Sequence, residues 1–265
     1  MPLLLLKLTL TPILIGGASL AARRWGPTIG GWIVALPLTS GPVLLFIALE
    51  RGPSFAADTS VGTLLGLVAI AGFCFGFMMG SMRGPAVGFG VAAAAYVMTG
   101  AVVQATAGWP FAILAVGTAG ALVVVFSRIP ATSGTHSRTA HPAWDLPARM
   151  IVGTGLVLAL TSLAPLLGPV ASGIATTFPV YVSVLAVFAC LHDGRPAALG
   201  VLRGMLLGLF GTIGFYLAVH TFVEQVGIWP TFAAAVATSL AVSGIALRTA
   251  GIGLTADGGL EVESA

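Results

Sequence analysis

The sequence predicts an all-α protein, a polytopic bundle of about nine transmembrane helices. Hydrophobic residues make up 57% of the 265 residues and charged residues only 7%, whereas a soluble domain carries about a quarter charged residues. The apolar residues are grouped in runs of about 20, long enough for a helix to cross the ~30 Å hydrocarbon core of a bilayer. A membrane β-barrel would instead show alternating segments of about 10 residues. The composition therefore indicates an α-helical integral membrane protein.

The apolar runs define nine candidate spans. They are residues 3–22, 28–49, 61–81, 86–106, 110–127, 148–166, 170–191, 198–220 and 229–248. The fourth and fifth spans are separated only by Gly108-Trp109-Pro110, in an apolar stretch of about 40 residues that is too long for one helix. The polar stretch 128–147 is typical of a linker, and the polar, acidic tail after Arg248 is expected to be disordered.

An internal repeat relates residues 22–73 to residues 164–215, at a constant offset of 142 positions. Sixteen of these 52 positions are identical, including Pro37/Pro179 and Gly52/Gly194. We therefore divide the chain into a first four-helix repeat (1–107), an extra helix with a cytoplasmic linker (108–147), a second four-helix repeat (148–248) and a tail (249–265). Internal repeats in membrane proteins commonly build a transport path at their interface.

The number of spans decides the relative orientation of the two repeats. Equivalent spans are five apart, an odd number, so the repeats are predicted to have inverted topology in a 4+1+4 arrangement. Without a separate fifth span they would be parallel. Basic residues favour the loops after odd-numbered spans: Arg23, Arg24, Arg83, Arg128, Arg138, Arg149, Arg195 and Arg248. The positive-inside rule then places the N-terminus outside and the C-terminus in the cytoplasm of a bacterial inner membrane.

Two matched prolines indicate the candidate binding site. Pro37 and Pro179 lie in the middle of predicted spans, where each frees the carbonyl four residues earlier, at Ile33 and Ala175, and kinks the helix. Proline-interrupted spans at corresponding positions of two repeats point to a transporter's binding site. The alternative is a pair of ordinary kinks whose hydroxyl groups satisfy backbone carbonyls. The predicted substrate-binding residues are Pro37, Thr39, Ser40, Thr176, Thr177, Pro179, Tyr181 and Ser183.

The few ionisable residues near the spans supply candidates for a gate or a proton relay. They are Glu50, His192, Asp193, Arg203, His220 and Glu224. Each has an alternative explanation at the membrane surface: charges commonly end a span, and Arg203 could extend to the interface or bind an anion. The predicted span centres contain no Asp or Glu, which disfavours ion coupling through a buried carboxylate.

The sequence disfavours several other classes of protein. Thr39-Ser40-Gly41 has no companion His at membrane depth, and no His-Glu-x-x-His motif occurs. We therefore expect no enzyme activity, no cofactor and no metal site. The net charge of +3 arises from loop Lys and Arg residues, which encode topology rather than nucleic-acid binding. The expected partners are the lipid bilayer and an unknown small solute, and a homodimer is left open.

The segment from Leu36 to Pro42 (LPLTSGP), followed by Phe46 to Gly52 (FIALERG), carries a family resemblance. It resembles uncharacterised bacterial inner-membrane proteins and the small GlpM-like family, whose members are single four-helix units with a Gly-x-x-x-x-x-Pro span. The resemblance implies that the chain is a fusion of two such units. It covers about 50 residues of each half and assigns no catalytic or binding residues.

The leading functional hypothesis is a small secondary transporter or permease. The candidate lining is rich in hydroxyl groups and uncharged, so a neutral or zwitterionic solute is expected, with access alternating between the two repeats. The alternative hypothesis is a membrane scaffold or accessory factor for envelope biosynthesis that transports nothing.

Overall fold

The computed structural model describes residues 2–131, 142–163 and 178–251. Within these ranges the regular structure is entirely helical. Ten α-helices occur there: α1 (Pro2–Trp25), α2 (Pro27–Ala35), α3 (Ser40–Arg51), α4 (Pro53–Gly80), α5 (Pro85–Val103), α6 (Phe111–Arg128), α7 (Asp145–Leu163), α8 (Val180–His192), α9 (Arg195–Val226) and α10 (Ile228–Thr249). Short 3₁₀ helices at Ser81–Arg83 and Gln104–Thr106 extend α4 and α5.

Six helical segments in the described residues are long and apolar enough to cross a membrane. They are Pro27–Arg51, Pro53–Arg83, Pro85–Thr106, Phe111–Arg128, Arg195–Val226 and Ile228–Thr249. The prediction of a multi-pass α-helical membrane protein is confirmed at this level. The count of nine spans and the 4+1+4 arrangement stay predictions, as do the domain boundaries.

The helix boundaries follow the glycines and prolines of the sequence. The predicted interruption near Gly108 is present, because the helical segment of α5 ends at Thr106 and α6 begins at Phe111. The fifth apolar run is therefore a helix of its own. Several boundaries differ from the prediction: α4 begins at Pro53, eight residues before the predicted span, α7 begins at Asp145, three residues before it, and α9 ends at Val226, six residues beyond it. Residues 132–141 of the predicted linker and residues 252–265 of the tail lie outside the described residues.

The two copies of the repeat share an unusual backbone turn. Gly52 joins α3 to α4 with φ 93° and ψ 167°, and its counterpart Gly194 precedes α9 with φ 85° and ψ 172°. This region of backbone conformation is essentially restricted to glycine. The identity of these two positions in the sequence therefore has a direct conformational cause.

The equivalent long helices α4 and α9 pack side by side in opposite directions. Near the start of α9, Arg195 Nη2 donates a 3.1 Å hydrogen bond to the carbonyl oxygen of Met78, close to the end of α4. Towards the end of α9, His220 Nδ1 lies 3.0 Å from the carbonyl oxygen of Ala57, close to the start of α4. Contacts at both ends thus fix an antiparallel pair.

The helices α1 and α7, which correspond in the predicted order of spans, form a second antiparallel pair. Arg23 in the last turn of α1 contacts Asp145 in the first turn of α7. Further along, the side chain of Ile15 occupies the space beside Gly153, where a methyl group would overlap its Cδ1 atom. Each of these helices therefore meets its own counterpart from the other repeat.

Glycines bring α2 into backbone contact with α9. A methyl group on Gly31 would overlap the carbonyl oxygen of Val201, and one on Gly204 would overlap the carbonyl oxygen of Thr28. Small residues at helix interfaces allow this close approach and the dispersion contacts that accompany it. The packing places the end of α2, and the break that follows, directly against the opposite repeat.

Candidate functional site

The first candidate binding region is a complete break in the helix, where the sequence predicted a kink. Helix α2 ends at Ala35 and α3 begins at Ser40. The carbonyl oxygen of Ile33, expected to be freed by Pro37, accepts a 3.3 Å hydrogen bond from the amide of Leu36. Pro37 fixes an extended turn here because it has no amide hydrogen to donate and its ring crowds the preceding turn. Residues 36–39 therefore present non-helical backbone at a predicted mid-membrane position.

Phe178 and Pro179, where the second break is predicted, are non-helical and lead into α8, whereas residues 164–177 lie outside the described residues. The hydrogen bonding at this second break repeats that of the first. The amide of Leu38 bonds to the carbonyl oxygen of Leu36 at 2.7 Å, and the equivalent amide of Val180 bonds to that of Phe178 at 2.8 Å. Pro179 has φ −79° and ψ 66°, the geometry of an inverse γ-turn. The two matched prolines thus form the same local turn.

Both breaks also start the following helix in the same way. The amide of Gly41 donates to the carbonyl oxygen of Pro37 at 3.0 Å, and the equivalent amide of Ser183 donates to that of Pro179 at 3.0 Å. Irregular backbone at membrane depth is tolerated where protein or a water-lined cavity covers it. At both turns, helices of the other repeat cover the irregular backbone.

Each break packs against the long helix of the opposite repeat. The hydroxyl of Thr212, on α9, donates a 2.6 Å hydrogen bond to the carbonyl oxygen of Ala35. The ring of Phe178 lies edge-on to Phe73 of α4 and Tyr96 of α5, at centroid distances of 5.7 and 5.3 Å. The breaks are therefore part of the interface between the two repeats.

A shallow cleft lies beside the first break and reaches Tyr181, at the start of α8. It has room for about one water molecule and is lined by Leu14, Ile33, Val34, Leu36, Leu38, Thr39 and Tyr181. Thr39 and Tyr181, the two polar side chains of this lining, come from the two different copies of the repeat. The lining of the cleft carries no charged residue.

The predicted binding residues are distributed unequally around this cleft. Thr39 and Tyr181 line it, and Pro37 and Ser40 are half-buried beside it. Pro179 is buried, and the buried hydroxyl of Ser183 donates to the carbonyl oxygen of Pro179 at 2.7 Å. Ser183 therefore stabilises the turn. This is the role expected of a hydroxyl if the prolines form ordinary kinks and not a binding site. Thr176 and Thr177, like the carbonyl of Ala175, lie outside the described residues.

Two of the gate or relay candidates are tied to neighbouring helices. Arg203 Nη1 donates a 2.6 Å hydrogen bond to the carbonyl oxygen of Ile129, and its guanidinium lies 4.1 Å from the ring centroid of Phe126. Arg203 thereby caps the end of α6. His220 contacts the Ala57 carbonyl oxygen and stacks on Phe111 at 3.8 Å. Glu224, one turn further, is exposed.

The other three candidates, Glu50, His192 and Asp193, lie at the ends of the equivalent helices α3 and α8. Glu50 and Asp193 are exposed, whereas His192, the residue equivalent to Glu50, is half-buried. His192 Nδ1 lies 3.0 Å from Asp145 Oδ1, an ion-pair distance, although its ring is not aligned for a hydrogen bond. His192 thereby joins a cluster around Asp145 whose other members are not among the predicted site residues.

Asp145 is the centre of that cluster and is completely buried. Its Oδ2 atom accepts hydrogen bonds from Arg23 Nη2 at 2.5 Å and from Arg149 Nε at 2.9 Å. Burial raises the pKa of Asp145, but the charge of Arg149 and the hydrogen bonds from both arginines outweigh this effect, so the net pKa lies below its usual value. We call Asp145, Arg23, Arg149 and His192 the Asp145 cluster.

The Asp145 cluster lies at the arginine-rich end of the bundle. Arg195 follows His192 closely and hydrogen-bonds to the Met78 carbonyl oxygen and Ser81 Oγ, which places Arg83 near the same end. The only local sequence signal for the cluster is an acidic residue at a helix start followed by Arg four residues later. That pattern predicts a surface ion pair, so it does not indicate burial or the partners on α1 and α8.

Comparison with family models, curated proteins and solved structures finds no match to this chain. Its class therefore rests on the fold and the site alone. The chain is a multi-pass α-helical membrane protein in which two matched proline turns each contact the other copy of the sequence repeat. Within the described ranges, no group of three His, Cys, Asp or Glu side chains is placed to hold a metal ion.

Proposed function

We propose that this protein is a small secondary transporter or permease for a neutral or zwitterionic solute. The observation that carries the proposal is the pair of matched proline turns, which have the same hydrogen bonding and each contact the opposite repeat. Broken helices at corresponding positions of two repeats are typical of transporter binding sites, because the backbone groups released there can bind a solute.

The arrangement of the helices supports alternating access between two repeats. In the proposed topology, nine spans form inverted four-helix repeats joined by α6. The antiparallel contacts of α4 with α9, and of α1 with α7, fit this inversion. Two equivalent units of opposite orientation can exchange their conformations, so that each state opens the path to a different side.

The chemistry of the cleft supports an uncharged or zwitterionic substrate. Thr39 and Tyr181 offer hydroxyl groups that can donate and accept hydrogen bonds, and the remaining lining is apolar. The proposed full binding set is Pro37, Thr39, Ser40, Thr176, Thr177, Pro179, Tyr181 and Ser183. A strongly charged solute would need a counter-charge or strong polar compensation at this depth.

The distribution of charge supports an orientation in the membrane. The arginine-rich end, with Arg23, Arg149 and Arg195, is assigned to the cytoplasm by the positive-inside rule. The N-terminus then lies outside and the C-terminus inside, in a bacterial inner membrane. No protein comparison distinguishes transport from the alternative role as an envelope-biosynthesis scaffold, so the two roles are separated by measuring flux.

The test is solute flux into liposomes containing the purified protein. A panel of radiolabelled neutral amino acids, polyols and simple sugars is presented to the wild type, to Thr39→Val and to Pro37→Ala. We expect flux of at least one solute, reduced about ten-fold by Thr39→Val, the loss expected for one hydrogen bond to the substrate. Pro37→Ala should reduce flux because the regular helix can continue through the break.

The matched control is Thr59→Val. Thr59 is partly exposed on α4, remote from the break in sequence, and its hydroxyl donates to the Phe55 carbonyl oxygen of its own helix. This variant should retain flux. Absence of flux across the panel, together with copurification of a stable protein partner, would contradict transport and favour the scaffold.

A further inference from the structure

The Asp145 cluster joins three helices at the arginine-rich end of the bundle. Asp145 and Arg149 belong to the first turns of α7, Arg23 to the last turn of α1, and His192 to the end of α8. The three basic side chains contact a carboxylate with no exposed surface, at 2.5, 2.9 and 3.0 Å. The Asp145 side chain thus joins the start of α7 to Arg23, 122 positions earlier, and to His192, 47 positions later.

Two of the joined helices, α1 and α8, lie close in sequence to the two proline turns. Helix α1 leads through Gly26, with φ 93°, into α2 and the first break. Helix α8 begins directly after Pro179 in the second break and ends at His192, two residues before Gly194 with φ 85°. The cluster therefore restrains α1 before one break and α8 after the other.

An ionic contact suits an interface that separates during function. Buried ion pairs add little stability compared with apolar residues of similar size, because desolvation offsets the Coulomb attraction. When such an interface opens, however, the charges regain their hydration, whereas separated apolar surfaces would be newly exposed to water. The ionic composition of the cluster favours reversible closure over permanent packing.

The repeat does not provide the same cluster at the opposite end. At the repeat's offset of 142 positions, the residues that correspond to Asp145, Arg149 and His192 are Leu3, Lys7 and Glu50. Leu3 cannot supply the central carboxylate, and Glu50 is exposed. This asymmetry between the two ends fits a state closed at one end, which alternating access requires.

We propose that the Asp145 cluster is the gate that closes the arginine-rich end of the path between the two breaks. This inference rests on the proposed transport function and assigns gate residues to it. Arg23 and His192 separate from Asp145 when this end opens, and α8 moves with His192. The described structure is the state in which the gate is shut.

The gate is tested by thiol labelling, which does not require the substrate. In a background with Cys74→Ala and Cys190→Ala, the reporter Thr39→Cys is exposed to a membrane-impermeant methanethiosulfonate from the arginine-rich side of sealed vesicles. Asp145→Asn should label about ten-fold faster than the parent, because loss of the ion pairs favours the open state. Glu50→Gln, at the position equivalent to His192, should label at the parental rate.

A second pair of variants separates a gate from a purely structural contact. Arg23→Gln changes a partner of Asp145 whose side chain is 28% exposed, so it disturbs the buried carboxylate less. It replaces Asp145→Asn as the test if that variant does not fold, and it should also accelerate labelling. The triple variant Arg23→Leu, Asp145→Leu, Arg149→Met should fold, but should hold the end closed and label more slowly than the parent.

The outcomes distinguish the gate from the transport proposal. Unchanged labelling in folded Asp145→Asn and Arg23→Gln would overturn the gate, whether or not the wild type shows flux. Faster labelling in both, with slower labelling in the apolar triple variant, is the expected result. If labelling behaves so while the wild type transports no solute from the panel, the transport proposal fails and an ionic closure of a water-accessible cleft is retained.

Discussion

The hydroxyl of Thr212 donates a 2.6 Å hydrogen bond to the carbonyl oxygen of Ala35, 177 positions earlier in the chain. Ala35 is the last residue of α2, where the break leaves carbonyl groups without helical partners. A hydroxyl from the second repeat therefore satisfies a backbone carbonyl oxygen at the first break. It couples the conformation of the break to the packing of α9.

Thr212→Val should destabilise the protein, because it leaves the buried Ala35 carbonyl oxygen without this partner. The expected loss in the free energy of unfolding is about 1 kcal/mol, the middle of the range for hydrogen bonds in membrane proteins. Titration of mixed micelles with SDS measures it. Thr212→Ser keeps the hydroxyl and should lose less; equal losses in the two variants would argue against the bond.

Gly204→Ala should destabilise the contact between α2 and α9, because its methyl group would overlap the Thr28 carbonyl oxygen. Overpacking of this kind costs about 1–3 kcal/mol in the free energy of unfolding. The control is Gly62→Ala at the equivalent position of the first repeat, where nothing lies within 4 Å of the added methyl group. Gly62→Ala should be neutral or slightly stabilising, and a similar loss at both sites would contradict the packing.

The stability of the protein should fall in acid through Asp145. Its pKa is lowered in the folded protein, so the carboxylate contributes stability above its ordinary pKa of about 4, and this is lost as pH falls through the lower folded-state pKa. Thermal unfolding between pH 7 and pH 3 measures the effect. Asp145→Asn should show a shallower decline than the wild type; parallel declines would assign the acid sensitivity to other carboxylates.

The inverted topology predicts opposite sidedness for two equivalent residues. Arg51 and Asp193 are both exposed and related by the offset of the repeat. In the background without native cysteines, Arg51→Cys should react with an impermeant thiol reagent from one side of the membrane and Asp193→Cys from the other. Labelling of both from the same side would instead show that the repeats are parallel.

The helices and their ends could be predicted largely from sequence, because local residue types determine them. The break between α5 and α6 follows from Gly108 and Pro110, and the paired breaks follow from Pro37 and Pro179. The sequence predicts only a proline kink in one helix at Pro37. In the structure residues 36–39 leave the helix completely, because Thr212 and the packing of α2 on α9 stabilise the interrupted backbone.

The polar residues near the breaks could be selected from sequence, but their roles could not. Thr39 and Ser183 both look like lining residues in a linear pattern of hydroxyl groups. The fold turns Thr39 towards the shared cleft and Ser183 towards the carbonyl oxygen of Pro179. Side-chain direction depends on how the broken helices are placed against the other repeat, which the spacing of residues does not encode.

The sequence by itself determined that this is a membrane-embedded helical protein with an internal sequence repeat, since hydropathy, glycine and proline act locally. Only the tertiary structure decided that α4 meets α9, and α1 meets α7, in opposite directions. It also decided that Asp145 is buried among Arg23, Arg149 and His192. These contacts join residues up to 163 positions apart, and they form because the packed helices bring distant groups together and exclude water from them.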